Sequence, residues 1–447
     1  MENLAKLQKL IDLAQQNNTI APHHYKEKNI KRGLRNSDGT GVAVGFTQIG
    51  DVKGYDLVDG KVLPTEGQLY YRGISVEQLV SGLENEKRFG FEESTYLLLF
   101  GKLPNVEELE DFKALLDEYR VLPPQFTENM ILKIPSRSVM NKLQRSILVL
   151  YSHDDNPDDT SIDNVLLQSI QLIARIPTII AYGYQSMAHN FQGKSLYIHQ
   201  PLKGKSTAEN VLHLLRPDNG FTAIEAETLD LCMLLHAEHG GGNNSTFATH
   251  VVTSSGTDTY SAIATAIGAL KGSKHGGASY KVKDMIDHIK ASIDMTDEST
   301  LEAYLRKIMD GLVFDGEGLI YGMGHAVYKR SDPRAVLLKK KAKELAVAMD
   351  QLESFELYER IEQITRKLFK EKRGDQFEIC ANVDFYSGFV YELLNIPKEL
   401  FTPIFAASRI VGWCAHRMEQ LLSDQKIMRP AYKTLGEEIE YIHLETR

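Results

Sequence analysis

Three segments of this 447-residue chain set a titratable side chain beside glycine or other small residues, at the edge of an apolar run. They are KHGGAS (274–279) with His275, GMGHAVYK (322–329) with His325, and NVDFYSG (382–388) with Asp384. A carboxylate and two imidazoles can together take a proton from carbon and hold the enol that forms. The carboxylate needs help, because its reference pKa is about 3.9 and each unit of mismatch with a weaker acid costs about 1.36 kcal/mol. A hydrogen-bond donor aimed at the developing oxyanion in a water-poor site supplies that help.

Each candidate also has a plainer reading. His275 follows a helical run (Tyr260, Ile263, Ile267, Leu270), where a histidine is often structural, yet Gly276, Gly277 and Ala278 leave one face of its ring open. Asp384 stands before an apolar helix, where aspartate is a common N-cap. As a base it would be tuned by opposing effects, since apolar Val383 and Phe385 disfavour its charge and the helix N-terminus favours it. The glycine-rich stretch around His325 contains no GxGxxG, so a nucleotide loop is not indicated. Lys329 and Arg330 read as a solvated basic turn or as anion contacts, and Arg334, after Pro333, can grip a carboxylate with two bonds. Arg409 lies among Phe405, Ala406, Ala407 and Ile410 and requires an anion if buried; Arg429 stands in MRPAY. For both, a structural salt bridge is the alternative. In HAEHGGGNNST (236–246), His236 and His239 close an apolar helical run. They fit a helix C-terminus capped by Gly240, a substrate contact, or, as the least favoured reading, a metal pair without either zinc-protease pattern.

The elements that must position these groups are mostly helices. Leu301, Tyr304, Leu305, Ile308 and Met309 line one helical face, as do Leu357, Ile361, Ile364 and Leu368. Ser75 with Gln78 and Asn105 with Glu108 predict helix starts, and Gly101 predicts a stop. Strand character is confined to 42–72, where Val42, Val44, Phe46, Leu57-Val58, an Asp59-Gly60 turn, Val62-Leu63 and Leu69-Tyr70-Tyr71 predict a hairpin. Leu4, Leu7, Ile11 and Ala14 predict a short amphipathic helix at the start of the chain. Stretches 190–220 and 271–280 read as loops or hinges.

With 43% hydrophobic and 25% charged residues the composition is that of a soluble globular protein. A net charge of −9 argues against nucleic acid as a partner. Cys232, Cys380 and Cys414 lie far apart, which excludes a disulfide framework or zinc ribbon and suits a reducing compartment. No signal-type apolar core opens the chain, and no run approaches the ~20 apolar residues of a membrane span. A cytoplasmic protein with no membrane partner is expected.

Taken in order, YYRGISVEQL (70–79), ENVLHLL (209–215), HAEHGGGN (236–243), SSG (254–256), KHGGAS, GMGHAVYKRSDPRA (322–335), NVDFYSG, SRIVGWCAHRMEQ (408–420) and RP (429–430) resemble the citrate synthase family. The resemblance covers residues 40–440 and implies a role for each candidate. His275 would hydrogen-bond the thioester oxygen of acetyl-CoA, Asp384 would remove its methyl proton, and His325 would polarise the ketone of oxaloacetate and protonate it. His239, Arg334, Arg409 and Arg429 would bind the oxaloacetate and citrate carboxylates, Arg429 reaching across a homodimer. Ser245 would orient His275, and Lys329, with Arg330 beside it, would lie near the CoA phosphates.

The implied fold is mainly α, with two domains and a small N-terminal β element. Residues 1–39 would be a helical extension, 40–277 and 389–447 a large domain, and 278–388 a small one, with a cleft that closes on substrate. No metal or other cofactor is expected, since acetyl-CoA is a substrate. Three departures stand out. Gly240 replaces a commonly acidic residue, the stretch after RP is a short AYKTLG, and Lys370, Lys372 and Arg373 lie only near the usual CoA positions. Alternatives are 2-methylcitrate synthase, which takes propionyl-CoA, a non-catalytic homologue that binds CoA or a dicarboxylate, and a zinc hydrolase using His236 and His239.

Overall fold

The structure is a computed structural model that describes residues 2–59, 61–295, 297–374, 377–423 and 426–447. Its described residues form seventeen α-helices and one three-stranded sheet, the mainly helical fold that the periodicity predicts. The expected caps form. Asn105 and Glu108 make both bonds of a capping box, Ser75 accepts from the Gln78 amide, and Gly101 ends its helix at φ 78°.

The hairpin consists of β1 (Gly50–Val58) and β2 (Lys61–Tyr71), paired antiparallel from Gly50↔Tyr71 to Val58↔Lys61. A two-residue β3 (Ile74–Ser75) completes the sheet. Asp59 has φ 52°, as a two-residue hairpin turn requires, and Gly60 lies outside the described residues. The expected strand at Val42–Phe46 does not form. Residues 42–47 have no regular structure and Phe46 is fully exposed, because no neighbouring strand offers its edge there.

Two glycines bring this hairpin against the segment that carries His325. A Cβ on Gly54 would lie 2.8 Å from the Val327 carbonyl oxygen, and one on Gly67 2.7 Å from the Tyr328 ring. Only a residue without a side chain permits that approach.

The helices pack in two groups. Ile162–Gln192 and Phe401–Ser423 lie against each other and gather Val139–Leu150, Ala223–His236, Asn244–Thr253 and Thr259–Lys271. Ala278–Ser292, Pro333–Ala348, Leu352–Arg373 and Val383–Leu393 pack mainly among themselves. The groups meet where Pro333–Ala348 touches Ala223–His236 and where Ala278–Ser292 touches Phe401–Ser423. Helix Ile162–Gln192 corrects one expectation, since by length and composition it could cross a membrane; 78% of its apolar window is instead buried inside the protein.

Both ends of the chain stand apart. Helix Glu2–Asn18 exposes Leu4, Leu7, Leu10, Ile11 and Leu13. Residues 426–447 carry only one short 3-10 turn and are largely exposed.

Gly322, at φ +79°, has no room for a side chain: a Cβ would lie 2.8 Å from both Phe385 and Val282. Gly322→Ala should therefore destabilise the protein by about 2 kcal/mol or more. Gly82, within helix Val76–Glu86, has nothing near its would-be Cβ, so Gly82→Ala should stabilise by about 0.5–1 kcal/mol. Opposite shifts of the urea midpoint would bear this out; shifts of the same sign would contradict it.

Candidate active site

The His325 loop is laced to the start of the helix that carries Asp384. Gly324 N donates to Cys380 O (2.7 Å), Asn382 N to Gly322 O (2.8 Å), and Asn382 Nδ2 to Gly324 O (2.9 Å). Asn382, not Asp384, is the N-cap of helix Val383–Leu393: its side chain accepts from Asp384 N at 3.0 Å. The capping reading of Asp384 is thereby corrected. Asp384 sits one residue inside the helix, and its carboxylate is released from capping. Burial pushes its pKa up to about 6, against the pull of the Arg334 charge.

The backbone chooses the tautomer of His325. Its Nδ1 accepts from both Val327 N and Tyr328 N, each at 3.1 Å. The single proton of the neutral ring must then reside on Nε2. Burial, followed by the Arg334 charge, holds the pKa down to about 4, so the ring is neutral at ordinary pH. It stacks on Tyr328 (centroids 4.7 Å apart) and meets His239 edge-on at 5.1 Å. His239 Nε2 lies 3.2 Å from the Tyr328 hydroxyl, and burial holds His239 neutral as well. Sequence reasoning passed over Tyr328, which looks like an ordinary core aromatic.

Among the described residues four arginines are buried; Arg120 is held by Asp117, Thr207 and the Lys205 carbonyl, and the other three have different partners. Arg334 forms a two-bond pair with Asp332 (Nε to Oδ1 3.0 Å, Nη2 to Oδ2 2.7 Å). Asp332 also caps helix Pro333–Ala348 and accepts from Val383 N at 3.2 Å, so one carboxylate fixes the arginine and the base helix together. The sequence reading missed Asp332, although Asp-Pro at a helix start signals such a cap. Arg417 is saturated by Thr259, Thr253 and the Thr257 carbonyl. Arg409 is fully buried and makes one bond, Nε to His236 O at 2.6 Å, while Nη1 and Nη2 have no partner. Burial lowers its pKa to about 10, which leaves it charged at neutral pH. A buried cation with two unmet donors calls for an anion.

His275 lies in the tight turn after helix Thr259–Lys271, held by His275 N to Gly272 O (2.9 Å) and by Thr402 Oγ1 to Gly276 O (2.8 Å). Burial and then Arg409 bring its pKa to about 4. Ser245 Oγ donates to Asn243 Oδ1 at 2.9 Å, accepts from Trp413 Nε1 at 3.0 Å and lies 3.0 Å from His275 Nε2. Trp413 is a second residue that sequence reasoning missed.

His236 corrects another expectation. It is neutral and fully buried, with both ring nitrogens unpartnered and its ring 4.5 Å from Phe405, and its helix is capped by Ala237 rather than Gly240. Among the described residues only His23, His24 and Glu27 form a possible metal-binding group, so His236 and His239 do not. Lys329 Nζ is tied to His325 O (3.0 Å). Arg330 pairs with Glu378 (2.9 Å) at the surface, and Arg429 is exposed in the C-terminal tail, away from this cluster's contacts. The structure thus gathers His239, His325, Arg334, Arg409, Asp384 and His275 through shared contacts and fields, and leaves Arg330 and Arg429 outside.

Comparison with known proteins agrees with this geometry. The sequence profile described as "Citrate synthase, C-terminal domain" matches residues 33–431. Citrate synthase of Synechocystis sp. is 34% identical over 397 residues, covering 87% of this chain and 90% of that protein. 2-Methylcitrate synthase 2 of Corynebacterium glutamicum is 32% identical over 383 residues, covering 85% and 91%. Among solved structures, citrate synthase from Pyrobaculum aerophilum superposes with a TM-score of 0.73 at 30% identity, covering 90% of this chain and 93% of that one. Profile, relatives and superposition agree over the part of the chain that holds the cluster, and the chain belongs to the citrate synthase family.

Proposed function

We propose that this protein condenses acetyl-CoA with oxaloacetate and hydrolyses the resulting citryl-CoA to citrate and CoA. The observation that carries this reading is Arg409, charged and buried with both Nη groups unmet, beside two neutral imidazoles and a carboxylate of raised pKa. Arg409, Arg334 and His239 bind the oxaloacetate carboxylates and turn the ketone toward His325 Nε2–H. Asp384 takes a methyl proton from acetyl-CoA while the neutral His275 ring donates to the thioester oxygen. The enol carbon attacks the ketone carbon, and His325 gives its proton to the new alkoxide. Water then cleaves the thioester. Fixing both substrates removes much of the entropic barrier. None of these steps calls for a metal or other cofactor.

Further parts of the reading concern assembly and CoA. A cavity of about 480 Å³ lined by Gly316, Gly318, Ile320, Met323, Lys372 and Arg373 adjoins the His325 loop and suits part of CoA. The helix group 278–388 would close over the cleft as a small domain. The tail exposes Tyr432, Leu435, Ile439, Tyr441 and Leu444, apolar surface that a second copy would cover, bringing Arg429 to the partner's site. A cytoplasmic homodimer is the assembly this supports. Citrate synthase from Thermoplasma acidophilum, 26% identical with a TM-score of 0.74, forms a ternary complex with carboxymethyl coenzyme A and oxaloacetate, which supports this reading of the substrates.

A steady-state comparison of acetyl-CoA and propionyl-CoA tests the substrate. Acetyl-CoA should have the higher kcat/KM; a marked preference for propionyl-CoA would make the protein a 2-methylcitrate synthase with the same chemistry. Asp384→Asn should keep oxaloacetate affinity and lower kcat by about 10²–10⁴-fold. Near-normal turnover would remove Asp384 from the base role.

The pH profile follows from which form of each group is active. Asp384 must be ionised, so with a pKa of about 6 its active fraction falls tenfold per unit below that value. kcat/KM for acetyl-CoA should drop with unit slope below pH about 6, while His275 and His325, at about 4, stay neutral over the same range. A rate that stays flat to pH 5 would contradict the assignment.

Mixing inactive Arg429→Ala with inactive Asp384→Asn tests the dimer. A shared site predicts recovery toward about a quarter of wild-type activity, because half the dimers are mixed and each has one intact site. No recovery after verified subunit exchange would place Arg429 outside the site.

A further inference from the structure

A second buried polar chain runs beside the substrate groups. Glu238 is fully buried, and its Oε1 accepts from Gly240 N and from His416 Nε2 (3.0 Å). His416 Nδ1 lies 3.1 Å from His250 Nε2, and His250 Nδ1 lies 2.9 Å from Gln420 Oε1. These contacts form one line from the turn that carries His239 to the helix that carries Arg409. On that helix Arg409, Trp413, His416 and Gln420 recur at seven-residue spacing and share a face.

The fold makes room for this carboxylate on two sides. A Cβ on Gly50 of β1 would lie 2.8 Å from Glu238 Oε1, and one on Gly412 would lie 2.6 Å from the Ala237 carbonyl. Tyr71 clamps the same turn, donating to Leu234 O at 2.9 Å and accepting from Glu238 N at 3.3 Å. Glu238 Oε2 has no partner, as Arg409 Nη1 and Nη2 have none. The two groups nevertheless do not form an ion pair within 4.0 Å, although each favours the other's charge.

We propose that Glu238, tethered by His416, is a positioning residue for oxaloacetate binding: a counter-charge for Arg409 held back so that both Nη groups stay open to substrate. Arg334 shows the other arrangement. Its carboxylate partner is in direct contact and occupies two of its donors. A buried guanidinium with no counter-charge carries its full desolvation cost, and one with a directly bound counter-charge offers fewer donors to a ligand. Holding the carboxylate on His416 and Gly240 N avoids both outcomes.

This rests on the reading that Arg409 binds oxaloacetate, and the experiment separates the two. Arg409→Gln should raise the oxaloacetate KM; no change would overturn the parent reading. Glu238→Gln keeps the shape but removes the charge, and should raise the oxaloacetate KM by roughly tenfold or more with acetyl-CoA KM unchanged within about twofold. His416→Gln frees the Glu238 carboxylate to reach Arg409, and should raise the same KM without a matching loss of kcat.

The split between the oxaloacetate and acetyl-CoA KM values is a readout that a merely structural role would not move. A large Arg409→Gln effect with wild-type oxaloacetate KM in both folded Glu238→Gln and His416→Gln would overturn the positioning role alone. If Glu238→Gln does not fold, His416→Gln decides, and an unchanged oxaloacetate KM in that variant would sink the proposal.

Discussion

Among the described residues four guanidinium groups lie inside this fold, and how three of them, Arg417, Arg334 and Arg409, are satisfied divides scaffold from site. Removing an ion from water costs several kcal/mol even after relaxation, about as much as the whole stability of a marginal domain. Arg417 recovers that cost with three oxygen partners and knits its helix to the 253–259 turn. Arg334 recovers it with Asp332, which also caps one helix and receives an amide from the next. Arg409 has one carbonyl and two empty donors, and only a bound anion completes it. The cluster is therefore built around an incomplete charge.

That positive field governs the neighbouring acids and bases. Burial is the larger influence on each, and the arginines add to it for the histidines and oppose it for the carboxylate. The two imidazoles are driven neutral, which suits donors that must give hydrogen bonds without carrying charge. Asp384 is raised by burial yet held below neutrality by the nearby cations, so it remains ionised and becomes a better base than a free carboxylate. Two backbone amides on His325 then select which of its ring nitrogens carries the proton. Charge state and tautomer are thus set by separate devices.

Close backbone approach makes this geometry possible. Gly54 and Gly67 let the hairpin lie against the His325 segment, Gly322 lets Phe385 pack beneath the loop, and Gly50 and Gly412 leave space for Glu238. The first two set the hairpin against the His325 segment at the point where the candidate groups gather, so a small sheet in a helical protein serves as a wall of the cluster.

By itself the sequence determined the helical class and the hairpin turn and singled out three titratable candidates, because periodicity, capping pairs and small residues around a titratable group are local signals. His275, His325 and Asp384 could be named because glycine and apolar neighbours flank each one within a few residues. Local pattern could not separate Arg409 from Arg417, which share one buried helix and differ only in what faces them from other helices. It assigned the capping role to Asp384 rather than Asn382, gave the helix stop to Gly240 instead of Ala237, and extended strand character into 42–46 where no partner edge exists. It passed over Asp332, Tyr328 and Trp413, whose importance lies in contacts far away along the chain. Tertiary structure alone decided those matters, since a hydrogen bond, a counter-charge or a desolvated donor is a property of two groups brought together, and the second group is nowhere near the first in sequence.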